Sequence, residues 1–192
     1  MLSAIIATNE SERSLVPTLA ALVPGAATGL LAEVIVADAA SSDVTAEVAE
    51  FAGCRFTSST EALGVRLKSA AASTRTPWLM FLRAGVVPQA GWIEAASRFM
   101  EATDLIEGAA RAAVFRPAGA VDYLRPSLAE LVTLLRAALG GSPRPDQGLL
   151  IARRFYDAIG GHSAHADAEA ALLSRIGRRR TAMLPAAIGV TP

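Results

Sequence analysis

The feature that most constrains this chain is an alternation. Short apolar runs rich in β-branched residues are separated by stretches whose apolar positions recur every three or four residues. Leu2 to Ala7 is the first run, Glu33 to Asp38 (EVIVAD) the second, Cys54 to Thr57 opens a third, and Trp78 to Leu82 (WLMFL) is the fourth. Runs this short suit buried strands better than helices. Between them Leu15, Leu19 and Leu22 share one helical face, which Pro24-Gly25 is expected to end. Val44, Val48 and Phe51 share another, with Ser41-Ser42-Asp43 as candidate caps and Gly53 as the stop. A third helix is predicted near 61–73. The order β-α-β-α-β, joined by right-handed crossovers, predicts an α/β fold with a mainly parallel central sheet flanked by helices.

The second half continues less regularly. A helix is predicted from Gly91-Trp92 to about 102, a strand over 109–115, and an amphipathic helix carrying Leu128, Leu131, Leu135 and Leu139 that Gly140-Gly141 stops. A strand over 148–153, a short helix, a helix over 167–176 and a closing strand near 182–187 complete the chain. With 192 residues and 52% hydrophobic content, one domain with a sizeable core is predicted. In open α/β sheets ligands bind beyond the carboxyl ends of the strands, so the loops after Ala7, Asp38 and Leu82 should line one site.

Composition removes several classes. Eighteen basic and eighteen acidic side chains cancel, which leaves no global pull toward nucleic acid; any polyanion would need a local patch. The single Cys54 makes no internal disulfide and reads as a buried, inert thiol. The opening residues lack a basic n-region, and the uncharged interval from Arg13 to Glu33 is broken by Pro17, Pro24, Gly25 and Gly29, so a cytoplasmic protein is expected. There is no GxGxxG after the first strand and no GxxxxGK[ST], which argues against a Rossmann dehydrogenase and a P-loop ATPase. The first loop, Thr8-Asn9-Glu10-Ser11-Glu12, is acidic and glycine-free, unlike a triphosphate grip. His162 and His165 have HxxH spacing, yet beside Gly160-Gly161 they read as solvated rather than metal-bound.

Five segments in register carry a resemblance: SAIIAT with a following Glu, EVIVADAASSDVTAEVAEFAGC, PWLMFLRAG with a later GW, PDQGLLIARRFYDAIGG, and ADAE before RRR. Together they resemble the family-two glycosyltransferases of the GT-A fold, most closely a bacterial branch of short members sometimes named as selenodomain-associated transferases. The resemblance implies a single domain over 1–192, with a nucleotide-binding half over 1–82 and an acceptor-side half over 83–192. It implies a nucleoside diphosphate sugar as partner and an unknown acceptor. The 127–139 helix reads first as buried core and the arginine run at 178–180 as a solvated helix end; were the acceptor lipid-linked, peripheral membrane contact would fall on these two segments. By resemblance Thr8, Glu12, Asp38 and Arg66 lie at the nucleotide, Asp167 is the candidate catalytic base, and Asp146 and Gln147 lie on the acceptor side. Each has a plainer reading. Asp38 can end a strand and hold a turn, Asp43 can cap a helix, and Asp167 can favour a helix dipole.

One departure decides the expected mechanism. Where the family carries a metal-binding carboxylate triplet, this chain has Arg83-Ala84-Gly85, and Ala39-Ala40 replaces a usual glycine pair. Mg²⁺ and Mn²⁺ need oxygen ligands and a guanidinium repels them, so no cofactor and no metal residues are expected. Two readings remain open. Arg83 can serve as a catalytic cation, pairing with diphosphate oxygens in a metal-independent transferase. Alternatively, the chain is a catalytically degenerate relative that binds a nucleotide, a sugar or a protein.

Overall fold

The computed structural model describes residues 1–106, 108–118, 143–165 and 167–191. The predicted helix over Ser127 to Leu139 lies outside them. Four strands, β1 (Leu2–Thr8), β2 (Leu31–Asp38), β3 (Arg55–Ser58) and β4 (Trp78–Arg83), are parallel neighbours in the order β3-β2-β1-β4. Helices α1 (Glu12–Ala27), α2 (Thr45–Phe51) and α3 (Leu63–Ala72) make the crossovers. Beyond β4 the sheet becomes mixed. Short β5 (Val86–Pro88) leads to α4 (Trp92–Asp104) and β6 (Ala112–Pro117); β7 (Leu149–Ala152) leads to α5 (Arg153–Ala158), α6 (Ala168–Ile176) and β8 (Thr181–Val190). Among the described residues the sheet runs β3-β2-β1-β4-β7-β6-β8-β5, with β7 antiparallel to both β4 and β6. A parallel strand beside β4 would need another crossover, whereas β7 enters reversed. The mixed α/β single-domain class expected from the sequence is observed.

Helix α1 corrects one expectation. It does not stop at Pro24-Gly25 but runs through both prolines to Ala27. An interior proline costs about 3 kcal/mol; the buried leucines at 15, 19 and 22 all precede Pro24, and beyond it the helix buries Gly25. Gly25 is there for a different reason: a Cβ would sit 2.5 Å from Trp92 Cη2, whose indole N–H donates to the Ala21 carbonyl at 3.1 Å. The glycine admits an indole; it does not end a helix.

Helix α2 corrects another. Val48 packs partly against the core, but Val44 is exposed and Phe51 is 98% exposed, so the shared face is not buried as a whole. It borders an apolar groove of about 630 Å³ between α1 and α2 that also reaches Cys54. Cys54 is only half-buried, and that burial pushes its thiol pKa up.

Candidate functional site

The carboxyl ends of β1, β2 and β4 meet at one end of the sheet, where Thr8 is the register partner of Asp38 and Ala7 of Arg83. Parallel pairing alone brings these three loops together. The structure then shows how each side chain is held.

Asp38 has no exposed surface. Its Oδ1 accepts from the Thr8 and Ser41 hydroxyls, both at 2.7 Å, and its Oδ2 accepts from the Ser41 amide at 2.7 Å. Arg66 reaches over from α3: Nη1 donates to the carbonyls of Ala37 (2.5 Å) and Thr8 (3.3 Å), and Nε donates to Glu61 O (3.2 Å). Burial lowers the Arg66 pKa, and the negative Asp38 nearby opposes that shift. Thr8, Asp38 and Arg66 therefore converge as one bonded group that clamps the ends of β1 and β2.

The loops above this clamp are stitched together. The Glu10 carboxylate accepts from the amides of Ser42 (2.9 Å) and Asp43 (3.1 Å). Asp43 accepts from the first-turn amides of two helices, Thr45 of α2 and Glu12 of α1, each at 3.0 Å. The Thr45 hydroxyl is the chief reason that its carboxyl is held below the ordinary carboxylate range. Asp43 thus caps two helices at once. Glu12 stands half-buried in the first turn of α1, with Arg13 3.7 Å away. Ala40 has φ +58, the left-handed conformation that glycine adopts freely.

At the end of β4, Arg83 does not point to bulk water. Its Nε and Nη2 both donate to the same oxygen of Glu169 in α6, with the guanidinium side chain 48% exposed and the carboxylate side chain 9%. Nη1 makes no hydrogen bond among the described residues. Sequence reasoning overlooked Glu169, because nothing local links positions 86 residues apart. Its spacing two residues after Asp167 was the available signal. Asp167 itself is exposed at the start of α6, with no side-chain capping bond. Helix α6 comes so close because α3 presents Gly64, where a Cβ would lie 1.7 Å from the Ser163 carbonyl oxygen and 2.6 Å from Ala168 Cβ.

Beside this ion pair lies His162, 3% exposed. Its Nδ1 is 2.9 Å from the Tyr156 hydroxyl, which also accepts from the His162 amide at 3.1 Å. The phenol has one proton to give, so giving it to Nδ1 satisfies both groups and leaves the imidazole proton on Nε2. Nε2 has no hydrogen-bond partner among the described residues. Burial drives the His162 pKa down to about 4 and the Tyr156 pKa up to about 12, so both are neutral at pH 7. His165 is exposed, and the HxxH pair does not converge. Among the described residues no three His, Cys, Asp or Glu side chains gather in a metal-binding group.

A second crevice, about 580 Å³, opens beside β5, β6 and β8. Asp146 and Gln147 both line it. Asp146 is bonded to Arg144 at 3.1 Å; buried Gln147 accepts from the Arg144 amide (2.7 Å) and donates to Phe115 O (3.1 Å).

The single-domain mixed sheet β3-β2-β1-β4-β7-β6-β8-β5, with the loops after β1, β2 and β4 meeting beyond one end, matches the α/β architecture called GT-A. The model of Glycosyl transferase family 2 matches residues 3–130, and the chain belongs to that family. No curated protein sequence matches it. Glucosyl-3-phosphoglycerate synthase from Mycobacterium tuberculosis, solved with Mn²⁺, UDP and glucosyl-3-phosphoglycerate, superposes with TM-score 0.68 at 20% identity, over 99% of this chain and 70% of that one. The mannosyltransferase PcManGT from Pyrobaculum calidifontis, solved with GDP-Man and Mn²⁺, gives 0.75 at 15%, over 100% and 57%. S. aureus TarS (residues 1–349) gives 0.73 at 13%, over 99% and 60%. At these identities the likeness establishes the fold.

Proposed function

We propose that the chain transfers a sugar from a nucleoside diphosphate sugar to an acceptor, with residues 1–82 serving the nucleotide and 83–192 the acceptor. The observation that carries this reading is the half-exposed guanidinium of Arg83 at the carboxyl end of β4, where a family-two transferase must neutralise diphosphate. In the transfer, an acceptor oxygen forms a bond to the anomeric carbon as the bond from that carbon to the phosphate oxygen breaks. The nucleoside diphosphate leaves with the electron pair, and the acceptor proton passes to a carboxylate. Arg83 stabilises the departing charge, and Asp167, exposed and uncapped at the start of α6, takes the proton. Thr8, Glu12, Asp38 and Arg66 form the nucleotide end, and Asp146 and Gln147 the acceptor end.

The family's metal does not fit the residues present. Arg83, Ala84 and Gly85 offer no side-chain oxygen, and the nearest carboxylate, Glu169, is committed to Arg83. A metal-independent transfer follows, with Glu169 as the counter-ion that the diphosphate must replace. Calorimetry with UDP-, GDP- and CDP-sugars in chelator tests this. Binding should persist without Mn²⁺, weaken at least tenfold in Arg83→Ala and tighten several-fold in Glu169→Gln. No heat with any donor would overturn the reading.

One observation favours the second reading, a degenerate binding module. Asp38 has no exposed surface and is hydrogen-bonded to Thr8 and Ser41, so a nucleobase reaches it only if the 39–43 turn moves aside. Donor binding without turnover, across a panel of acceptor sugars, would select it.

A further inference from the structure

The end of the sheet opposite the crevice has a character of its own. Trp78 at the start of β4 lies beside Ala152 at the end of β7, and Ala112 at the start of β6 lies beside both Ile151 and Thr181. Just outside these four adjacent strand ends the chain places exposed arginines. Arg75 precedes β4, Arg154 follows β7, Arg111 precedes β6, and Arg179 and Arg180 lead into β8. Arg154 has Asp104 at 3.6 Å and Arg180 lies over the Phe155 ring, but Arg75, Arg111 and Arg179 meet no carboxylate among the described residues. Two aliphatic side chains emerge in the same place. Asp104 bonds the Trp78 indole at 3.1 Å and so fixes the end of α4 beneath β4; the next residues, Leu105 and Ile106, are 87% and 52% exposed.

We propose that this end of the molecule docks on an anionic lipid bilayer. Neighbouring strands are about 4.8 Å apart, so four adjacent strand ends spread the arginines over roughly 15 Å, the width of a few headgroups. Guanidinium groups pair with headgroup phosphates in forked geometry. Leu105 and Ile106, flanked by those charges, enter the boundary between headgroups and acyl chains as the apolar side of an interfacial element does. The aliphatic pair is what favours lipid over nucleic acid, whose phosphates would use the arginines and leave Leu105 and Ile106 in water. Docked this way, the crevice faces away from the bilayer, so the docking surface is separate from the proposed transfer site.

Co-sedimentation with phosphatidylcholine vesicles, with and without about 30% phosphatidylglycerol, tests the proposal. The wild-type chain should partition onto the anionic vesicles at least tenfold more strongly and be released by high salt. Arg111→Glu combined with Arg179→Glu should weaken that partition at least tenfold, with an unchanged thermal midpoint because neither side chain meets a partner among the described residues. Leu105→Ser combined with Ile106→Ser should weaken it several-fold while keeping its salt dependence. Equal binding to neutral vesicles, no binding to anionic ones, or preferential capture of a single-stranded RNA over the vesicles would each overturn the proposal. UDP calorimetry on the Arg111/Arg179 variant should match wild type, so failure of docking and failure of the transfer reading are seen separately.

Discussion

The two ends of the sheet share every strand and differ in how their charges are used. At the crevice end, acids and arginines are spent on one another and on backbone groups: Asp38 on Thr8 and Ser41, Arg66 on two strand carbonyls, Glu10 on two amides, Arg83 on Glu169. At the opposite end, Glu33 and Asp104 meet Arg55 and Arg154 at the looser distances of 3.4 and 3.6 Å, and Arg75, Arg111 and Arg179 meet no carboxylate among the described residues. A site that must hold loops in fixed positions uses its charge internally, whereas a surface keeps charge for what lies outside. Formal neutrality across 192 residues conceals this segregation.

The contrast can be broken hardest at Gly64. A Cβ there meets the Ser163 carbonyl oxygen, so Gly64→Ala must push α6 away from α3 and loosen Glu169 from Arg83. A loss of about 3 kcal/mol is expected by chemical denaturation, the upper end for overpacking, whereas charge reversal at Arg179 should leave stability unchanged. Next in size is a pH effect confined to the crevice end. His162 titrates near 6.5 when unfolded and at about 4 when folded, so between these values the unfolded chain binds more protons. Stability should be full above pH 6.5, fall as pH drops toward 4 and level off below, for a total of at most about 3 kcal/mol. His162→Phe should remove that segment of the stability profile; a slope that survived would place the titration elsewhere. The smallest effect is at Ala40. Replacing a left-handed alanine by glycine relieves about 1 kcal/mol, so Ala40→Gly should raise the thermal midpoint by a few degrees. An unchanged midpoint would mean that the 39–43 turn relaxes at no cost.

Much of the crevice end was legible in advance. The strand runs ending at Thr8, Asp38 and Arg83 could be read from apolar pattern, and the carboxyl-end rule then placed them together. The pairing of Arg83 could not be read, because Glu169 comes from a helix 86 residues away whose seat depends on the missing Cβ of Gly64. Helix α1 misled for a related reason. Local chemistry says that Pro24-Gly25 ends a helix, but Gly25 is buried under Trp92 and the helix continues to Ala27. Phe51 misled in the opposite sense, since a helical period says which residues share a face and not what covers it.

Periodicity and turn chemistry act over a few residues, so the amino-acid sequence by itself determined the succession of strands and helices, the parallel first half and the loops that meet beyond it. Which carboxylate neutralises Arg83, that Asp38 is sealed from solvent, and that arginines scattered from 75 to 180 collect at one end were decided only in three dimensions. Those outcomes depend on close approach between distant segments. Close approach is set by packing volume and sheet register, which no short stretch of sequence contains.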